Sequence, residues 1–312
     1  MTSLHAEKKS AIVILNGISL KKKIFYHEYL PAISEIFQVE VHETLSKNDA
    51  KNLASKFCDK YVDVILAAGG DGTLHQVING VLKGRENENK LPALGVIPIG
   101  SGNDFAKGAG LKNNIHQTLK TLSAFKVRPI DVGLVEFSLM PGGETGKGYA
   151  YFVNVADIGM GPEVVAKLLS SGRPFGSGVA YYKSILNTFL TYKPMTVKAT
   201  TENWVWEGKL RTLAVANGKY YGHGLCIAPH ALLDDRMFSV FICGNVSVFD
   251  FIMHTRTLKK GKSILIDDVH YRSATSIEFS SEKPCPIEGD GEILGWLPAN
   301  VRMIKKQLNF LI

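Results

Sequence analysis

Five consecutive residues, Gly69-Gly70-Asp71-Gly72-Thr73, combine groups able to hold a phosphate with one able to hold a metal ion. They follow the apolar run 62–68, which reads as a buried strand. They precede Leu74, Val77, Ile78, Val81 and Leu82, spaced three and four apart as on one face of a helix. A strand-to-helix junction offers free backbone N–H groups and the positive end of the helix dipole, and both attract phosphate. The glycines are expected to let the backbone approach an anion and to take positive φ, and the Thr73 hydroxyl to cap the helix. Asp71 would repel a phosphate unless a cation bridges the two, as Mg²⁺ does, often through water. The plainer reading is a tight turn with a helix cap. The strand and helix on either side, and the acid within, favour the phosphate site.

Three further stretches carry candidate chemistry. Gly100-Ser101-Gly102-Asn103-Asp104 closes the apolar run 94–99 and opens a helical stretch at Phe105. Alone it would pass for an ordinary turn. Two such loops on one sheet edge could clasp a nucleotide from both sides. Gly289-Asp290-Gly291-Glu292 is a hairpin turn by type, or a turn that carries a carboxylate to a hydroxyl as general base. Ala231-Leu232-Leu233-Asp234-Asp235-Arg236-Met237 is a polar turn, or a cation site built from a carboxylate and backbone carbonyls. Other signals are missing. Gly146-Lys147 is followed by Gly148 and so lacks the Ser or Thr of a Walker loop, and Phe105 stands where a dinucleotide fingerprint needs its third glycine. There is no Gly-x-Ser-x-Gly elbow, and the nine histidines show no metal-ligand spacing.

The elements that must position these residues change character along the chain. Up to residue 130 the pattern is strand 11–15, helix 24–37, strand 39–44, helix 49–61, strand 62–68, the glycine loop and its helix, strand 94–99, and helix 116–125. Alternating strands and helices imply a parallel sheet, whose ligands bind at the carboxyl ends of the strands. Beyond it, the segments 130–137, 149–158, 195–200, 204–216, 237–243, 263–266 and 275–279 read as short strands between turns. Two helices, 162–170 and 180–190, interrupt them. The expected fold is therefore α/β plus all-β: a parallel-sheet nucleotide-binding domain over 1–130, then a β-sandwich domain over 131–312. The last strand, 301–312, returns to either domain.

Bulk properties bound the reading. The 312 residues are 45% hydrophobic, enough for two globular cores, and 36 Lys and Arg against 29 Asp and Glu give a net charge of +7. That balance suits an anionic ligand or membrane surface and does not by itself point to nucleic acid. Cys58, Cys226, Cys243 and Cys285 show no paired spacing, so neither a zinc site nor a disulfide framework is indicated and a reducing compartment is expected. The early apolar run is too short for a signal peptide and no stretch is long enough to span a bilayer. We expect a cytoplasmic protein with peripheral membrane contact, no nucleic-acid partner, and an oligomeric state that leaves a homodimer open.

Taken together, these stretches resemble the diacylglycerol kinase catalytic family in its bacterial soluble lipid-kinase branch, nearly end to end. Residues 69–73 resemble its Gly-Gly-Asp-Gly-Thr loop, and Pro98-Ile99-Gly100-Ser101-Gly102-Asn103-Asp104-Phe105-Ala106 its Pro-x-Gly-(Ser/Thr)-x-Asn-Asp-x-Ala loop. Asn154 and Gly159 resemble an Asn-x4-Gly element, 217–229 a stretch bearing Gly-x-Gly, and 290–292 the Asp-Gly-Glu turn. NAD kinases share the first loop, but not this combination in this order.

The resemblance implies ATP at Gly69, Gly70, Asp71, Gly72, Thr73, Leu74 and His75, with Asn16, Thr44 and Ser101 lining it and Asn103 and Asp104 in the second loop. It implies Glu292 as the base on a lipid hydroxyl, supported by Asp290, in a cleft between the domains. It implies a second, structural Mg²⁺ at Asp235 with the carbonyls of Leu232 and Met237. Phosphoryl transfer asks mainly for positioning and charge neutralisation, and a glycine cradle, Asp71 for Mg²⁺ and an opposing base supply both. The chain departs from the family at Asn16-Gly17, where Asn-Pro is usual, at His75-Gln76, where Asn-Glu is usual, and at Arg236, where glycine usually follows the paired acids. The competing readings are an NAD kinase, whose usual Thr-Gly-Ser-Thr-Ala segment is missing here, and a nucleotide or lipid sensor without catalysis. The lipid itself is left open among diacylglycerol, phosphatidylglycerol, a sphingoid base and ceramide.

Overall fold

Residues 11–15 are all apolar and all buried, as a strand covered on both faces by helices must be. The computed structural model that shows this describes residues 8–46, 48–83, 85, 90–142, 146–170 and 178–312. It falls into two units: Met1–Gly100 with Gly110–Pro129 and Leu308–Ile312, and Ser101–Ala109 with Ile130–Gln307.

The first unit begins with β1 (Ser10–Leu15), then α1 (Lys22–Ile24), a π-helical turn (Phe25–Tyr29) and α2 (Leu30–Ile36). Pro31, which has no N–H to give an α-helical bond, is the second residue after the π turn. Next come β2 (Gln38–Glu43), α3 (Asp49–Cys58), β3 (Val64–Gly69), α4 (Asp71–Val81) and β4 (Ala93–Pro98). The chain leaves for α5 (Asp104–Gly108) in the second unit and returns with α6 (Ile115–Ala124) and β5 (Val127–Ile130). The strands form a six-stranded sheet in the order β2-β1-β3-β4-β19-β5, where β19 (Leu308–Leu311) is the end of the chain. β1 pairs with β2 and β3, β3 with β4, and β4 with β19, all in parallel.

The second unit holds β6 (Gly133–Ser138), β7 (Lys147–Phe152), β8 (Val155–Gly159), α7 (Met160–Ser170), α8 (Gly178–Thr191), β9 (Met195–Thr200), β10 (Val205–Leu210) and β11 (Thr212–Ala216). There follow a small β12–β13 pair (Tyr220–Tyr221, Leu225–Cys226), β14 (Phe238–Cys243), α9 (Val248–Lys259), β15 (Val269–Ala274), β16 (Ser276–Ser281), β17 (Pro286–Gly289) and β18 (Glu292–Met303). Eleven strands join in one curled antiparallel sheet, with β18 pairing β16, β17 and β6. One side encloses a core that includes Phe137, Phe152, Phe238 and Val301, and Phe152 stacks on Phe238 at 5.5 Å. Another core, with Met160, Ile185, Phe189 and Phe241, lies where α7, α8 and α9 pack.

The α/β plus all-β architecture expected from the sequence is present. Several strands differ. The segment 130–137 is two strands, because β5 completes the parallel sheet and β6 starts the other. The segment 149–158 breaks at Val153 and Asn154. The segment 204–216 breaks at Arg211, where the chain moves from pairing β9 to pairing β8 and β14. The tail 301–312 also divides, since its first residues finish β18 and its last form β19. Residues 263–266 are not a strand, and the Ile264 N–H donates to the Tyr271 hydroxyl at 3.0 Å. Helix α9 and strand β15 were not foreseen. Apolar residues on opposite sides of α9 blur the helical period, with Phe251 and Leu258 inward and Phe249, Ile252 and Met253 outward. Parts of the polar loop 83–90 and of the glycine-rich loop 141–148 lie outside the described residues. Among the described residues, no helix is long and apolar enough to cross a membrane.

Candidate active site

The glycine loop sits at the carboxyl end of β3, and α4 starts at Asp71. Gly70 is the helix N-cap, and its carbonyl accepts from the N–H groups of Thr73 and Leu74, each at 3.1 Å. Two expectations fail here. No side chain caps the helix, because Thr73 lies inside the first turn, and the loop glycines do not take positive φ. The need for glycine at position 69 is steric, since any Cβ there would collide with the Thr73 side chain. Asp71 lies in the first turn, half-buried, where the helix dipole favours its charge. Thr73 and His75 are buried, and the Asn79 amide donates to the His75 carbonyl at 2.9 Å.

Neighbouring strand ends are tied to this loop. The Gly100 N–H donates to the Gly69 carbonyl at 3.0 Å, and the Asn16 N–H to the Ala68 carbonyl at 2.9 Å. The Thr44 N–H donates to the Leu15 carbonyl at 2.9 Å, and the Thr44 hydroxyl accepts from Gly17 N–H at 3.1 Å. Asn16, Thr44, Gly69 and Gly100 are therefore linked across β1, β2, β3 and β4 at one edge of the parallel sheet. Ser101 is exposed. Asn103 is buried with a left-handed backbone, φ 56°, and Asp104 opens α5. Within the second unit, one oxygen of Asp104 accepts from the His223 N–H at 2.9 Å, so this acid fastens the 222–224 turn.

The Asp290–Gly291 pair forms the tip of the β17–β18 hairpin, with φ of 52° and 86°, the two positive values of a type I′ turn. The buried Asp290 carboxylate accepts from the backbone N–H groups of Val153 at 3.1 Å, Asn154 at 3.0 Å and Val155 at 3.1 Å. Asn154 in turn gives its amide to the Tyr220 carbonyl at 3.0 Å, and its own carbonyl accepts from Asn217 N–H at 2.8 Å. The Asn217 amide bridges the carbonyls of Asp131 and Val153 at 3.0 and 2.9 Å. Asp290 thus pins the hairpin tip, and Glu292, the first residue of β18, is left half-exposed.

Around residues 232–237, Asp235 is exposed and accepts from the Met237 N–H at 3.1 Å, while Leu232 is half-exposed. Arg236 has φ 63°, the left-handed conformation for which glycine is usual. Its N–H donates to the buried Asp131 at 2.6 Å, and its guanidinium reaches Asp131 at 3.2 Å and the Lys305 carbonyl at 2.7 Å. Among the described residues, no three His, Cys, Asp or Glu side chains cluster as metal ligands. One carboxylate with two carbonyls fits only a cation that keeps much of its water.

Sequence reading missed two features of the second unit. The first is an apolar cavity with about 60 Å³ of room for the centre of a water-sized sphere. Met160, Val164, Ile185, Phe189, Phe241 and Phe251 line it. Ile185 and Phe189 belong to the helix expected over 180–190. The second feature adjoins it. Asp157 and Glu288 are fully buried and face each other across β8 and β17. The Tyr221 and Thr212 hydroxyls, at the cavity wall, donate to Asp157 at 2.9 and 3.1 Å. Burial pushes Asp157 up to about 6, against the pull of hydrogen bonds from Glu288, Tyr221 and Thr212. Burial, the Asp157 charge and hydrogen bond, and the Asp290 charge raise Glu288 well above the carboxylate range. Both shifts favour keeping one proton on the pair, on Glu288 rather than on Asp157. A lone acid inside the apolar run 155–158 was the available signal, but its partner is 131 residues away, at 288 rather than 157.

Comparison with known proteins finds two matching families, one toward each end of the sequence. Residues 10–135 match the diacylglycerol kinase catalytic domain, and residues 157–312 match the YegS C-terminal NAD kinase beta sandwich-like domain. The chain is 28% identical over 257 residues to a probable lipid kinase YegS-like of Stenotrophomonas maltophilia, covering 82% of this chain and 80% of that one. It is 28% identical over 263 residues to a diacylglycerol kinase of Bacillus subtilis, covering 84% and 82%. The crystal structure of a putative diacylglycerol kinase from Bacillus anthracis is similar with a TM-score of 0.76 at 22% identity, over 98% of each chain, a likeness of fold.

Proposed function

Because the chain belongs to the diacylglycerol kinase catalytic-domain family with a YegS-type C-terminal domain, and is thus a lipid kinase, we propose that it transfers the terminal phosphoryl group of ATP to the hydroxyl of a lipid whose acyl chain enters the cavity beside α8. The observation that carries the finer reading is that cavity. A wholly polar acceptor such as NAD has no use for a pocket walled by Met160, Val164, Phe189 and Phe241 in the unit that also presents Glu292.

The roles follow from chemistry. The Gly69–His75 segment, with Asn16, Thr44, Ser101, Asn103 and Asp104, holds the nucleotide through backbone N–H groups and the α4 dipole. Asp71 holds Mg²⁺, which when bound neutralises the phosphate charge; one carboxylate plus substrate phosphates is a usual Mg²⁺ donor set. Glu292 takes the proton from the lipid hydroxyl as that oxygen bonds to the γ-phosphorus and the bond to ADP breaks. Asp290 fixes the turn that carries Glu292. Leu232, Asp235 and Met237 would hold a second Mg²⁺ through one carboxylate and two carbonyls, and that ion would stiffen their turn.

The test is a panel assay with labelled ATP against diacylglycerol, phosphatidylglycerol, a sphingoid base, ceramide and NAD. Transfer to one or more lipids is expected. Transfer to NAD alone, or to nothing, would overturn the reading.

A further inference from the structure

Helix α9 has two apolar faces, and the protein's own core uses one. Inward, Phe251 and Leu258 line the cavity, with Phe189 stacked on Phe251 at 4.6 Å. Outward, Phe249, Ile252, Met253, Arg256 and Lys260 fall at i, i+3, i+4, i+7 and i+11, one stripe of a helix. Phe249 is 71% exposed, Ile252 51% and Met253 61%. Leu190, next to Phe189 on α8, is exposed as well. Beyond them Arg256, Lys259, Lys260 and Lys262 are all exposed. The acid of the helix, Asp250, sits at its start and accepts from the Ser247 hydroxyl at 2.6 Å. Single exposed apolar residues are ordinary, but three on one stripe running into a basic cluster are not.

We propose that the outer face of α9 rests in the surface of an anionic lipid bilayer, with Phe249, Ile252 and Met253 in the acyl boundary and Arg256, Lys260 and Lys262 among the headgroups. Apolar side chains on one side and basic residues beside them are what such an interfacial helix needs. The twelve residues of α9 are far too few to span a bilayer. Charge decides between occupants. A second copy of this chain, at net +7, would bring like charge to the basic end, whereas anionic headgroups neutralise it. The inference deepens the lipid-kinase reading and rests on it for its purpose: the helix that meets the bilayer is also a wall of the proposed acyl cavity.

Co-sedimentation with vesicles of phosphatidylcholine, with and without phosphatidylglycerol, tests it. ATP is left out, so the result does not depend on catalysis. Binding is expected only with phosphatidylglycerol present. Removing basic residues in Arg256→Gln/Lys260→Gln should weaken binding roughly five-fold for each charge. Phe249→Gln/Ile252→Gln/Met253→Gln should weaken it at least about tenfold, with an unchanged circular dichroism spectrum, because these side chains are exposed. If the triple variant unfolds, the basic pair decides. Equal vesicle binding by wild type and both variants overturns the proposal. So does a wild type that ignores vesicles and forms a dimer broken by the triple change. Vesicle binding together with no phosphorylation of any lipid would instead refute the kinase reading and leave this surface standing.

Discussion

Replacing Glu288 with glutamine should stabilise the protein at pH 8. In the wild type, two buried carboxyls face each other with one proton between them, and Asp157 is pushed from 3.8 to about 6. In the unfolded chain both titrate near the ordinary carboxylate range of about 4. Between those values the folded state keeps a proton that the unfolded state has released. Folding is then favoured at low pH, and that stability is lost as pH rises through the folded pKa. Glu288 is raised further, so the loss continues toward neutral and alkaline pH. Roughly two pK units at about 1.4 kcal/mol each give about 3 kcal/mol as the most that Asp157 can lose. Glutamine keeps the shape, carries no charge, and offers an amide donor to Asp157 Oδ1, an oxygen without a donor unless Glu288 is protonated. Thermal melts of wild type and Glu288→Gln from pH 4.5 to 8 measure this. Glutamine removes the Glu288 titration and leaves Asp157 buried, so at about 2–4 °C per kcal/mol the variant should melt several degrees above wild type at pH 8 and little above it at pH 4.5. An unchanged or lowered melting temperature at pH 8, with the wild-type slope kept, would refute proton sharing.

Asp71→Ala and Glu292→Ala should each cut phosphoryl transfer by about 10²–10⁴ with an unaltered melting temperature, and full activity in either variant removes its assigned role. Arg236→Gly should lose roughly 1–3 kcal/mol in urea titration, since the buried Asp131 loses its guanidinium but the positive φ is relieved. Arg236→Ala should lose about 1 kcal/mol more, and equal losses would show that backbone strain is not at work there. Ile185→Trp, which fills the cavity, should lower turnover of a long-chain acceptor and spare a short-chain one; equal effects on both would move the acyl chain elsewhere.

The parallel half of the fold was legible because its strands are continuous apolar runs and its helices keep one apolar stripe, as at 74–82. The other half was harder. Strands 130–137 and 204–216 look unbroken in sequence, since a strand that changes partners leaves no mark on residue type. Helix α9 hid because its exposed residues are as apolar as its buried ones. In the candidate site, each loop is legible from its own local chemistry, whereas what the loops do for one another is not. Asp290 reads as a turn residue, yet its carboxylate gathers the N–H groups of Val153, Asn154 and Val155, more than a hundred positions away. Asp104 reads as a nucleotide-side acid, yet one oxygen is engaged by the His223 N–H. The need for glycine at position 69, set by Thr73, is likewise a matter of packing.

The slot between β4 and β5 is filled by Leu308–Leu311, with Phe310 beside Leu94 and the Ile312 N–H bonded to the Lys126 carbonyl at 3.1 Å. During synthesis this slot stays vacant until residues 308–311 have left the ribosome. The six-stranded sheet of the first unit cannot close before the second unit has been made, so a chain that stops short of residues 308–311 carries no complete parallel sheet. A fragment ending at residue 130 would expose the flanks of β4 and β5 as bare edges.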